Sequence, residues 1–256
     1  MKRTIYLMLP LALLMACTNS AGSTGKESVA AGGGVTGSGK DLYYQYKITG
    51  SGKRMRMNGV MKMYLSADGH VRMEMIMGID TNGAKAGVPS IVILGNSKTP
   101  TETISLDDAT KTFTRNHIDT ADLGRTGMQS SSVVTKVGDD SWLGFRCVHA
   151  RIVTTMGMGR LFTMVDTMNI WKSNDVPMQP GFRYWLDRFE AKTNATMYSP
   201  EVAAKLKQMG CEGLFVRMES GSKDAHTEMA LTTVDRRDLP ASLFDIPAGY
   251  TEDKNQ

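Results

Sequence analysis

The clearest periodicity in the chain lies between Arg54 and Met77, in RMRMNGVMKMYLSADGHVRMEMIM. Odd positions carry Met55, Met57, Gly59, Met61, Met63 and Leu65, then Val71, Met73, Met75 and Met77. The even positions Arg54, Arg56, Asn58, Lys62, His70, Arg72 and Glu74 are polar. A period of two predicts two strands, each with one buried and one wet face. The same parity selects the turn. A two-residue turn at Asp68-Gly69 would pair Leu65 with Arg72 and put the two methionine rows on opposite faces, because a one-residue slip inverts a strand. A three-residue loop, Ala67-Asp68-Gly69 with Gly69 as a left-handed bulge, pairs Leu65 with Val71, Met63 with Met73 and Met61 with Met75. The sulfurs then share one flexible apolar wall, and Met55, Met57, Met61, Met63, Met73, Met75 and Met77 are its candidate ligand-lining residues.

Further strands follow from the same reading. Leu42, Tyr44, Tyr46 and Ile48 alternate ahead of the hairpin, and Ile91 to Leu94 is a short buried run. A second hairpin with a four-residue loop, Asp107-Asp108-Ala109-Thr110, pairs Leu106 with Lys111 and Ile104 with Phe113. Residues 117–132 are polar and aperiodic, a loop; strands resume over 133–137, 145–153 and 163–172, the last two joined at Met156-Gly157-Met158-Gly159.

Phe182, Trp185, Leu186 and Phe189 fall at helical spacing. Ser199-Pro200 opens a second helix as N-cap and first residue, Val202, Leu206 and Met209 form its apolar stripe, and Gly210 stops it. These helices either pack over the sheet or plug the mouth of a cavity. Strands over 213–219 and 226–235 close the count at about eleven. The fold class is mainly β: a strongly curved antiparallel sheet, or unclosed β-barrel, with two helices against its concave face.

Several short motifs carry a family likeness. They are Gly144-Phe145-Arg146-Cys147, Ile170-Trp171-Lys172-Ser173-Asn174-Asp175-Val176-Pro177 and Phe244-Asp245-Ile246-Pro247-Ala248-Gly249-Tyr250. Together with the opening hairpin, they resemble an uncharacterised bacterial lipoprotein domain that is itself similar to the LolA and LolB lipoprotein carriers. The resemblance spans most of residues 40–250. It implies an unclosed barrel around helices, with an apolar cavity for acyl chains, and it carries no catalytic residue.

The N-terminus bears on location. Lys2 and Arg3 precede an apolar run from Ile5 to Leu14, too short to span a bilayer and typical of a secretory signal. Leu14-Met15-Ala16-Cys17 resembles the lipobox of bacterial lipoproteins, in which the cysteine is acylated and becomes the new N-terminus. Residues 1–17 are thus expected to be a signal with Cys17 as the lipid anchor. Residues 18–39 form a flexible Gly/Ser/Ala/Thr tether, and 40–256 a single open-barrel domain. Two or more acyl chains hold a protein on a membrane stably. Thr18, in place of the Asp of an inner-membrane signal, favours the outer membrane facing the periplasm. Near the tether's end, Gly34 to Asp41 imitates a phosphate-binding loop, but Asp41 replaces the Ser or Thr and a strand follows.

Composition narrows the function classes. The chain has 30 Lys and Arg against 26 Asp and Glu, scattered, so nucleic acid is not an expected partner. Removal of Cys17 into the anchor leaves Cys147 and Cys211, either bridged or as two buried free thiols; both remain open here. Four histidines and the lack of a hydrolase or zinc-protease motif argue against an enzyme, and no cofactor motif is present. The expected function is that of an envelope lipoprotein binding a lipid or other hydrophobic molecule on the methionine wall. An adaptor holding another envelope protein, with no ligand, is the alternative. Copper(I) binding between Met63 and Met73 or Met61 and Met75 is the lesser one.

Overall fold

The computed structural model describes residues 34–52, 55–81, 84–117, 129–157, 163–183, 185–186, 199–222 and 225–254. The signal, Cys17 and most of the tether lie outside the described residues. The chain opens with β1 (Val35–Gly37), β2 (Asp41–Gly52), β3 (Met55–Leu65), β4 (His70–Thr81) and β5 (Ala84–Asn96). Next come β6 (Glu102–Asp107), β7 (Thr112–His117), β8 (Gln129–Trp142), β9 (Phe145–Gly157) and β10 (Thr163–Ser173). Helix α1 (Pro200–Gln208), β11 (Leu214–Ser222), β12 (Ala225–Arg237), a 3-10 turn (Ala241–Phe244) and β13 (Thr251–Glu252) complete it.

All thirteen strands join one sheet in the order β13-β7-β6-β5-β4-β3-β2-β12-β11-β10-β9-β8, with β1 beside β12. Among the described residues it is unclosed, since β8 at one end pairs with β9 alone. Two strands beyond the expected eleven, β1 and β13, are two or three residues long and pair in parallel with β12 and β7. The first takes Val35–Gly37 out of the expected tether, so the ordered part begins upstream of residue 40.

The opening hairpin has the register that parity demands: Leu65 opposite Val71, Met63 opposite Met73, Met61 opposite Met75. Its turn is held by Gly69 N–H donating to Ser66 O at 3.0 Å and Ser66 N–H to His70 O at 2.9 Å, with Gly69 at φ 94°. The second hairpin corrects the expected register by two residues: Leu106 faces Phe113 and Ile104 faces Arg115. Asp107 Oδ1 accepts the N–H groups of Ala109 and Thr110, and Lys111 takes the left-handed position at φ 54°, so the loop is 108–111. Strand β5 reaches back to Ala84, well before Ile91, with a register shift opposite Met75 and Met77. Pro89 lies in that irregular stretch, where a missing ladder donor is tolerated.

One row shows which face is the core. Ile170, Met218, Met229, Ile48, Gly59 and Met77 stand directly opposite one another in turn across β10, β11, β12, β2, β3 and β4. Directly paired residues share a face, so along this row the methionine face is continuous from β10 to β4. Helix α1 covers one part of it, Val202 and Leu206 packing with Val134, Ala150, Ile152, Met168 and Ile170. As expected, Ser199 caps the helix, its Oγ accepting Val202 N–H at 3.3 Å, and Gly210 follows the last turn at φ 72°. A helical turn containing Phe182, Arg183, Trp185 and Leu186 covers another part; Phe189 lies outside the described residues. On the opposite face the C-terminal segment straps β5–β7, with Ile246 and Tyr250 packed on Val92, Leu94, Ile104, Leu106 and Phe113.

Candidate functional site

The wall itself is built from five buried methionines, Met57, Met61, Met63, Met73 and Met77, each 3–8 % exposed, with Met75 partly buried beside them. The Met55 side chain lies outside the described residues. Glycines make room for the long side chains. A Cβ on Gly59 would lie 2.3 Å from Met77 Sδ, and one on Gly50 would lie 2.9 Å from Met57 Cε. Each such burial contributes about 1.5–3 kcal/mol, so the wall is a large part of the core.

Tyrosines from β2 brace the wall. Tyr46 Oη donates to Phe215 O at 2.9 Å, and Tyr44 Oη donates to Pro177 O, tying the segment that leads into the Phe182 turn to the sheet. Burial pushes the Tyr44 hydroxyl far above its ordinary range. Val176, Phe182, Trp185 and Leu186 then close over the methionines in one cluster. Phe182 and Trp185 stack at 5.7 Å. The wall and its cover are therefore in contact, with little accessible surface left between them.

The two thiols are free and buried. Cys147 lies on the β9 face of His149 and belongs to the core cluster that holds the methionines, whereas Cys211 packs with Ile170, Val202 and Leu206 in the separate cluster under α1, its Sγ donating to Val148 O at 3.5 Å. Strand β9 lies between them, which explains the lack of a bridge. Burial pushes the Cys147 thiol up to about 12 and the Cys211 thiol up to about 11.

Sequence reading missed a cluster that adjoins the methionine core, in which Trp171 is buried together with Phe145 and Cys147. The His149 ring stacks on Trp171 at 3.9 Å, and the Arg217 guanidinium lies 4.9 Å from the Trp171 ring and 5.0 Å from that of Trp142. Arg217 also pairs with Glu228 at 2.8 Å and with Glu219. Burial holds the His149 imidazole below its ordinary pKa. The signal was present only as aromatic residues on strands whose partners are non-local. Farther along the β9 face of His149, Val133 opposite Val153, with Val165 nearby, leaves an apolar patch in which Val133 is 64 % and Val165 55 % exposed. Among the described residues, no helix is long and apolar enough to cross a membrane, and no group of three or more His, Cys, Asp or Glu converges as a metal site.

This architecture defines a mainly β, single-sheet domain with one apolar face closed by short helical segments. Over residues 48–250 the chain matches the family described as domain of unknown function DUF4412, and it belongs to that family. No curated protein matches the chain. Among solved structures it is similar to a β-barrel-like protein of domain of unknown function DUF1849 from Brucella abortus. That match has 9 % identity and a TM-score of 0.34, covering 80 % of this chain and 100 % of the other.

Proposed function

We propose that this protein is an envelope lipoprotein, anchored through Cys17, that holds a lipid or other hydrophobic molecule against its methionine face. The observation that carries this reading is the pairing of a methionine wall with a cover made of one short segment. Unbranched thioethers repack around ligands of differing shape, and displacing the Phe182–Trp185 turn would open the wall without unzipping any strand. The resemblance to the LolA and LolB carriers, with their apolar cavity, supports the same reading, as does the lipobox for the anchor and for an outer-membrane location facing the periplasm.

Native mass spectrometry on residues 18–256, secreted from the bacterium without the anchor, tests it. A bound mass matching a lipid, lost when Met61→Trp and Met75→Trp fill the wall, is the expected result. A clean apo mass that takes up no lipid on incubation would overturn it. Cys17→Ser in the full chain is expected to release the protein from the membrane fraction.

The exposed patch at Val133, Val153 and Val165 favours a second reading, an adaptor that docks another envelope protein on the outer face of the sheet. Site-specific photo-crosslinking from position 133 in intact cells is expected to capture a discrete partner if this reading holds; uncrosslinked protein alone would sink it.

A further inference from the structure

A cleft of about 410 Å³ lies on the face opposite the methionines, over the ends of β4–β7. Its floor is apolar: Leu94 and Ile104 are directly paired, and Leu94 is 4 % exposed. One wall is aromatic, the Phe244 ring lying 5.8 Å from that of His70. Its open side is a polar row in which His70 pairs with Asn96 and Glu102 with His117. Arg115, opposite Ile104, ends the floor and is already paired with Glu252 at 3.4 Å. The turn fixes Asn96, whose Oδ1 accepts Lys98 N–H at 2.8 Å, leaving its amide nitrogen 3.4 Å from His70 Nδ1.

The chemistry of these walls discriminates among ligands. An acyl chain would take the exposed Glu102 carboxylate away from water, which is costly. A free anion would meet Glu102 at the rim and only an Arg115 already neutralised by Glu252. A polyhydroxylated ring satisfies both halves: its hydroxyls donate to and accept from the amide, carboxylate, guanidinium and imidazole groups, while its C–H face lies on Ile104 and the Phe244 ring, above the buried Leu94. The volume falls in the small-molecule range and admits about one or two sugar rings.

We propose that this cleft is a saccharide-binding site, separate from the methionine face and independent of what binds there. The C-terminal segment supplies its aromatic wall through Phe244, giving the strap a role beyond packing.

The test is methyl NMR on the full-length chain in a sugar-free zwitterionic detergent, titrated with N-acetylglucosamine, its β-1,4-linked dimer and maltose. At least one of these is expected to shift the Leu94 and Ile104 methyl signals saturably. Glu102→Gln and Phe244→Ala are each expected to weaken that binding at least tenfold, while Met61→Trp leaves it unchanged. Glu102 sits on the strand surface, so its variant separates loss of binding from loss of fold. Absence of any shift at tens of millimolar of all three saccharides would overturn the proposal. So would unchanged affinity in the Glu102→Gln variant, or shifts confined to the methionine methyls.

Discussion

Trp185 occupies the space above Gly95: a Cβ at position 95 would lie 2.6 Å from the indole Nε1 and 2.9 Å from Cε2. The strand residue that keeps the cover seated is thus the one without a side chain. Gly95→Ala is expected to push the buried indole outward and to destabilise the fold by about 1–3 kcal/mol, the usual cost of overpacking. Urea unfolding, with tryptophan emission as the second readout, checks this. A variant as stable as the parent, with unshifted emission, would show that the cover is not seated on β5.

Asp41 joins three parts of the chain. It is 1 % exposed, and its carboxylate accepts Ala67 N–H from the first hairpin and Leu239 N–H from the start of the C-terminal segment, both at 2.8 Å. Asp41→Ala would leave two N–H groups without their partner, at about 1–3 kcal/mol each. Asp41→Asn, which keeps one acceptor oxygen, is expected to lose about half as much. Equal midpoints in denaturant for all three proteins would refute the role.

Alkali should weaken this protein from above pH 9. Burial raises both thiols above their ordinary value of 9.0, to about 12 for Cys147 and about 11 for Cys211. Burial likewise raises Tyr64 to about 12. The unfolded chain therefore loses these protons first. The stability they support is complete below pH 9 and is lost as pH rises through 11–12. A urea midpoint flat from pH 7 to 8 and falling from pH 9 upward is the expected profile. At pH 8 neither buried thiol should react with a thiol reagent until denaturant is added, and mild oxidation should not bridge them across β9.

Val133→Thr and Val165→Thr are expected to change stability by no more than about 0.5 kcal/mol, since both side chains are mostly exposed and threonine keeps the β-branch. If the patch docks a protein, the pair of substitutions abolishes the crosslink from a neighbouring position such as Val153 while the unfolding curve stays in place. Loss of several kcal/mol would instead mark these valines as part of the core.

What the chain itself determined is local. Parity and turn chemistry suffice for the register of the Met63–Met73 hairpin, because a single slip would drive a whole row of methionines into water. Ser199, Pro200 and Gly210 suffice for the bounds of α1, since caps act on neighbouring backbone groups. The Leu106–Phe113 pairing was misplaced because either register keeps apolar residues together; the Asp107 side-chain bonds to Ala109 and Thr110 and the left-handed Lys111 decided it.

Non-local pairing lay beyond that reading. Alternation says that a strand has two faces and not which neighbour each face meets. The tertiary structure alone seats Trp185 on Gly95, separates Cys147 from Cys211 by β9, and stacks His149, Trp171 and Arg217. It also brings Phe244 to His70 across more than half the chain. These contacts depend on the order of strands in the sheet, which is set by how all the apolar faces are buried together.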